Sequence, residues 1–300
     1  MLADIRAFFA ARHVLEVDTP LLCSSGVTDP SLEPLLVERG NSLTAPRYLQ
    51  TSPEYAMKRL LAAGSGPIYQ IAHAFRDDES GRRHNPEFTL LEWYRPDMDH
   101  LALMDEVAVL VGELLAREGS SKYSYRELFE EFVAIDPFTA TVAELEVAAQ
   151  KVTDAGSLQG PREFWLDMLM THAIEPALAD SGMVFVYDYP ARQAALARIV
   201  EVNGVNVGQR FELYVDGVEL ANGYCELTDP TEQRQRFEDD NQRRREAGIR
   251  ELPIDEKLLA AMASGLPDCS GVALGIDRLL MLVTGIDDIG RVQSFSWDRC

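Results

Sequence analysis

No run of about eighteen apolar residues occurs in this chain, which argues against a membrane-spanning helix. Internal repeats and low-complexity tracts are also missing, which sets aside solenoids and disordered linkers. Basic residues are scarce: 28 Lys and Arg face 49 Asp and Glu, for a formal net charge of −21. Affinity for nucleic acid comes mainly from neutralising phosphates with lysine and arginine, so this balance excludes a general nucleic-acid binder and leaves room only for local basic patches. Cysteine is sparse too. Cys23, Cys225, Cys269 and Cys300 have no paired metal-ligand spacing and no small secreted scaffold to staple, and the N-terminus has no signal-peptide architecture. They are expected to be reduced thiols of a cytoplasmic protein. What is present is a hydrophobic content of 46% over 300 residues, ample for a buried core; the expectation is one domain, 1–300, with a helical insertion at about 120–200.

The stretch Tyr69–Tyr94 organises the rest. Two strand-like runs, 69–76 and 87–94, enclose a polar, charged loop, which predicts a long antiparallel hairpin. Period-two alternation puts Phe88, Leu90, Glu92 and Tyr94 on one face and Thr89, Leu91 and Trp93 on the other, so a carboxylate shares a face with large apolar groups. Arg76 closes the first strand, and the loop carries Asp77, Asp78, Glu79, Arg82, Arg83 and His84. Guanidinium groups grip phosphate oxygens bidentately, so an arginine fixed at a strand end beside a basic loop suits a nucleoside triphosphate.

A second hairpin is signalled by Asp216-Gly217 between alternating runs. A two-residue turn there pairs 215 with 218, 214 with 219 and 212 with 221, leaving Glu212 and Glu219 as diagonal neighbours on one face. Two close carboxylates call for a cation between them, and Mg²⁺ held by one or two carboxylates plus substrate phosphates meets that need. Strict alternation puts Glu226 on the opposite face from Glu219, so a bulge at Gly223 is required if both line one pocket. Residues 271–281 read as a glycine-bearing strand feeding an apolar helix, with Arg278 at the helix start. Ser52-Pro53 starts another helix whose first turn holds Glu54, where the helix dipole favours a negative charge. Residues 2–13 read as an amphipathic helix running into a strand, 13–22, that ends at Pro20.

Arg76-Asp77-Asp78 with His84-Asn85-Pro86-Glu87-Phe88 resembles motif 2 of the class II aminoacyl-tRNA synthetases. The N-terminal helix, strand and Thr19-Pro20 resemble motif 1, and Gly271–Met281 with Asp277-Arg278-Leu279 resembles motif 3. Ser52-Pro53-Glu54-Tyr55 is similar to the substrate loop of the lysine, aspartate and asparagine branch. The resemblance implies an α+β fold, an antiparallel sheet flanked by helices, and a homodimer joined through motif 1. It implies ATP contacts at Arg76, Asp78, Asn85, Glu219, Leu220, Gly275 and Arg278, the last on the γ-phosphate. Amino-acid contacts are implied at Ser52, Pro53, Glu54, Tyr94, Asn222 and Glu226. Asp78 stands where the family has glutamate, and Ala273 where the lysyl type has glycine. Three carboxylates, Glu54, Glu92 and Glu226, with the Tyr94 phenol favour a substrate with two amino groups. A methyl group projecting into a pocket, as at Ala273, changes affinity by roughly 1–3 kcal/mol, enough to reshape preference between lysine isomers. No anticodon-binding barrel precedes motif 1, and Leu91–Pro96 is similar to the branch of lysyl-type paralogues that attach (R)-β-lysine to elongation factor P. That resemblance implies activation of (R)-β-lysine or lysine as an acyl-adenylate, elongation factor P as acceptor, and no stable nucleic-acid or membrane partner. A minimal lysyl-tRNA synthetase core and an inactive paralogue that binds adenylates or amino acids stay open as alternatives.

Overall fold

Ile5, Phe8 and Phe9 recur at helical spacing, and Leu2–Ala11 forms helix α1 with those three side chains buried. Phe9 stacks on Tyr69 at 4.3 Å between ring centroids and meets Trp93 edge-on at 5.4 Å, so both phenylalanines belong to the chain's own core. Their burial withdraws them from any dimer surface; Leu2, Leu15, Leu21 and Leu22 are the exposed large apolar groups of this segment. The expected strand 13–22 shrinks to two pieces, β1 (Leu15–Glu16) and β2 (Leu22–Cys23). The Val17 N–H still donates to Tyr69 O at 2.9 Å. The chain then leaves the sheet: the Thr19 hydroxyl donates to the Gln70 side chain, and Pro20 has no N–H to continue the ladder.

The computed structural model describes residues 1–38, 46–77, 79–153 and 158–300; of the expected site residues, Asp78 lies outside them. They form two units, Met1–Met98 with Leu227–Cys300, and Asp99–Glu226. In the first, β3 (Leu36–Val37) and β4 (Arg47–Leu49) join β2 in a small antiparallel sheet, and helix α2 (Glu54–Ala62) follows. The predicted hairpin is β5 (Ile68–Phe75) and β6 (Glu87–Pro96), in register from Ile68 opposite Tyr94 to Phe75 opposite Glu87.

The second unit opens with α3 (His100–Leu115), capped by the Asp99 carboxylate, and β7 (Ser121–Ser124). Helices α4 (Tyr125–Val133) and α5 (Val142–Val152) each start with a reciprocal capping box, Ser124 with Glu127 and the predicted Thr141 with Glu144. After α6 (Arg162–Leu169), a π-helical turn and the short α7 (Glu175–Ala177) come β8 (Met183–Pro190), β9 (Ile199–Val202), β10 (Val205–Val215) and β11 (Val218–Cys225). These strands order as β11-β10-β8-β7, with β9 also on β10 and β7 parallel to β8. Its helices bury Tyr125, Phe129, Trp165, Leu166 and Leu169 in one cluster with Val184, Val186 and Tyr214.

The chain returns to the first unit through α8 (Pro230–Glu246) and α9 (Glu256–Gly265), N-capped by Asp229 and Asp255. Then come β12 (Cys269–Gly275) and α10 (Ile276–Thr284). Strand order here is β1-β5-β6-β12. The β1–β5 pair is parallel and the others antiparallel, so the strands are largely antiparallel, as expected, with one parallel pair at the edge. Among the described residues no helix is long and apolar enough to cross a membrane, and no cysteine forms a disulfide.

Candidate active site

Residues directly opposite in antiparallel strands share a face, and the register of β5, β6 and β12 therefore defines a lane. Along β6 the face carries Phe88, Leu90, Glu92 and Tyr94; opposite them on β12 stand Gly275, Ala273 and Gly271, with Ala72 and Ala74 on β5. Small residues thus stand beside large ones along this face. From Phe88 to Glu92 it runs about 13 Å at the usual strand rise, with a cation at one end and carboxylates at the other.

At the carboxylate end, Glu92 is 2% exposed, between Gln70 and Ala273. The Tyr94 hydroxyl donates to its Oε2 at 3.2 Å, and its Oε1 has no hydrogen-bond partner. Burial, reinforced by the charge of Glu54, pushes the Glu92 carboxyl up to about 8, against the pull of Tyr94, Ser52 and Arg76. Glu54 is placed by the start of α2, where its N–H donates to Ser52 Oγ at 3.2 Å. Its carboxylate accepts from Lys58 Nζ at 2.6 Å, one helical turn on, and Lys58 is 1% exposed. Glu54 therefore has a fixed cation and Glu92 has an unpartnered oxygen, a pairing suited to receiving an ammonium group from a ligand.

At the cationic end the Arg76 guanidinium lies 5.0 Å from the Phe88 ring centroid and reaches Glu79 at 3.4 Å. Arg278, in the first turn of α10, meets His84 Nε2 at 2.7 Å and the Arg83 carbonyl at 3.3 Å. Burial, with Arg278 close by, holds His84 below its ordinary range, so it stays neutral beside the guanidinium. Asp277 accepts from the Thr89 N–H at 2.7 Å, tying α10 to β6. Asn85, 8% exposed, donates to Glu87 O at 2.6 Å. Both arginines and Asn85 thus lie around the loop between β5 and β6.

In the second unit the β10–β11 hairpin departs from the expected register. Tyr214 does pair with Glu219 and Val215 with Val218, but Leu213 pairs with Ala221 and Glu212 with Asn222. Leu220 is the extra residue of a β-bulge, its side chain 2% exposed. The expected bulge at Gly223 is therefore three residues too late, yet its consequence stands: alternation resumes with Asn222, Tyr224 and Glu226 on the face of Glu219. Glu212 also changes role. Its carboxylate accepts from Arg210, and from the hydroxyls of Tyr189 and Tyr214 at 2.6 Å each. Burial opposes the Arg210 charge, but the attraction of Glu212, with smaller contributions from Tyr224, Tyr189 and Glu219, outweighs it and holds the guanidinium more firmly protonated. The cation that Glu212 meets is thus Arg210, and with that ion pair and two hydroxyls on its oxygens Glu212 fits a metal ligand poorly. Arg210 also donates to Asn222 Oδ1 at 3.3 Å, orienting that amide. Glu219 is half-buried on β11 and fits one carboxylate of a magnesium site completed by phosphates. Among the described residues no three His, Cys, Asp or Glu side chains cluster as a self-sufficient metal site.

The sequence matches, over residues 1–299, the family described as tRNA synthetases class II (D, K and N). The chain belongs to the class II aminoacyl-tRNA synthetase family. Within it, the chain is similar to the elongation factor P–(R)-β-lysine ligase of Sodalis glossinidius (strain morsitans), 48% identical over 304 residues that cover 100% of this chain and 93% of the relative. The protein of the same name from Salmonella dublin is 47% identical with the same coverage.

Three groups described above escaped the sequence reading. Lys58 and Arg210 each carry a readable signal, an acid four residues before a base on a helix and a base two residues before an acid on a strand. The third, the segment after α10 that grips the β5–β6 loop, has little, because all its contacts but the Asp287–Arg82 ion pair involve a backbone group.

Proposed function

We propose that this class II family member is a cytoplasmic ligase that uses ATP to activate (R)-β-lysine, or lysine, and passes the acyl group to a lysine of elongation factor P. The observation that carries it is the lane along β6, which ends at Arg76 on one side and at Glu92, Tyr94 and Glu54 on the other. The names of the relatives at 47–48% identity over the full chain support the same reading. The substrate carboxylate oxygen attacks the α-phosphorus of ATP and pyrophosphate leaves; the acceptor ε-amine then attacks the acyl carbon, AMP leaves and the amine loses its proton. No side-chain nucleophile is needed, so the protein acts by positioning and charge stabilisation. Arg76, Asn85, Gly275 and Arg278 serve the nucleotide. Ser52, Pro53, Glu54, Glu92, Tyr94 and Ala273 serve the amino acid, with Asn222 and Glu226 assigned to it from the second unit. Mg²⁺, with Glu219 as its protein ligand, would neutralise phosphate charge when bound.

The test is intact-mass analysis of elongation factor P after incubation with this protein, ATP and (R)-β-lysine, beside a tRNA-charging assay. A gain of one lysyl unit, lost when the acceptor lysine is replaced, is expected. Efficient charging of tRNA with an unmodified factor would make the chain a minimal lysyl-tRNA synthetase instead. ATP–pyrophosphate exchange should also fall at least about tenfold in Arg278→Ala below ATP saturation, since charge-assisted bonds contribute roughly 1.5–3 kcal/mol.

A further inference from the structure

We infer that the segment after α10 is a positioning strap for the nucleotide end: the backbone N–H of Trp297 sets the side chain of Asn85 and thereby the affinity for ATP. The inference rests on the reading above that Asn85 meets the nucleotide. Four contacts join the strap to the β5–β6 loop and the start of β6. Asp287 pairs with Arg82, and the Ile289 N–H donates to Arg82 O at 2.8 Å. Gln293 Nε2 donates to Glu87 O at 3.2 Å, and the Trp297 N–H donates to Asn85 Oδ1 at 3.0 Å. With Asn85 Nδ2 already donating to Glu87 O at 2.6 Å, both ends of its amide are fixed. An amide has two N–H bonds and two lone pairs; these contacts use one of each and leave the others for a ligand in a set orientation.

The strap is itself held. Arg299 donates to Ser296 Oγ at 2.9 Å and reaches the carbonyls of Gly290 and Gln293, while Ser296 is 5% exposed. The Asp277 carboxylate in the first turn of α10 accepts from the Thr89 N–H, and Gln293 of the strap donates to Glu87 O, so α10 and the strap are each tied to β6 beside Asn85. The indole of Trp297 plays no part in this, being 56% exposed. Its amide does the positioning.

The geometry supplies a clean test. Ser296 has φ −82° and ψ 163°, the conformation a residue before proline adopts, and Trp297 opens a 3₁₀ turn, where proline is tolerated. Trp297→Pro therefore deletes the N–H with little other disturbance, and the comparison is with Trp297→Ala, which loses the same indole and retains the N–H. In ATP–pyrophosphate exchange, the proline variant should have a KM for ATP about fivefold above that of the alanine variant, with the amino-acid KM moved far less. The difference should vanish in an Asn85→Ala background, because a residue acting only through Asn85 is not additive with its loss. Arg299→Met, which unlatches the turn, should move the ATP KM in the same direction and takes the place of the proline variant if that fails to fold. Equal ATP KM values for the proline and alanine variants, or a penalty that persists without the Asn85 side chain, would overturn the inference. If Asn85→Ala itself leaves the ATP KM unchanged, the placement of the nucleotide at Asn85 fails first and the strap's role with it.

Discussion

The charge of Glu54 acts on Glu92, and Glu54 is itself held by the Lys58 ammonium at 2.6 Å. Glu92, pushed up to about 8, keeps its proton at neutral pH in the ligand-free protein. The unfolded chain would release that proton near 4.5. The group's contribution to stability is therefore full below about pH 4.5 and is lost as pH rises towards 8. A bound ammonium requires the ionised form, so substrate affinity has the reverse sign. Lysine should bind up to about tenfold more tightly per pH unit between about pH 6.5 and 7.5, measured by calorimetric titration, and Glu92→Gln should remove that slope. A slope that survives in the variant would place the titrating group elsewhere.

At the scale of the element, the β10–β11 hairpin is built around a buried cation. Arg210→Met leaves the Glu212 carboxylate, 6% exposed, without its counter-charge, and should destabilise the fold by roughly 3–5 kcal/mol in urea unfolding. Arg210→Met with Glu212→Gln should recover at least half of that; additive losses would mean the two side chains stabilise the strand independently. This hairpin also marks how far the sequence could be read. Its turn was legible in Asp216-Gly217, and the pairing next to the turn followed from it. The bulge was not, because it lies at Leu220, an ordinary apolar residue with no glycine to announce it. Likewise the β5–β6 hairpin and the alternation that aims Glu92 were legible as a period of two, and the capping box at Thr141 as a spacing of three. The expected strand 13–22 failed because apolar content does not reveal whether a neighbour exists to pair with: only Ile68 and Tyr69 are there to receive β1. Charge compensation was the least legible of all. Two glutamates in sequence ask for a cation, and nothing in their spacing distinguishes a metal from an arginine two residues away.

At the scale of the whole molecule, the fate of Phe8 and Phe9 shifts the case for a dimer onto Leu15, Leu21 and Leu22, which are 57%, 38% and 44% exposed. Exposed apolar groups that gather into one patch mark interaction surfaces. A second copy about a two-fold axis is the expected cover, so light scattering should report about twice the 33.5 kDa protomer mass at micromolar concentration. Leu15→Glu with Leu21→Glu should return it to a monomer, and a wild-type monomer would remove the dimer from the account.

Neither of the arginines proposed to meet the phosphates stands bare: Arg76 is engaged by Glu79, and Arg278 by His84 and the Arg83 carbonyl. Entry of a nucleotide is accordingly an exchange of partners, and the terms of exchange depend on how many anionic groups arrive on one molecule. Orthophosphate must displace one resident at a time and spend its translational freedom on each. A triphosphate that reaches one arginine meets the other at high effective concentration, so its second displacement is nearly intramolecular. Resident side chains of this kind act as a threshold, one that single inorganic anions do not cross and a chain of linked phosphates does.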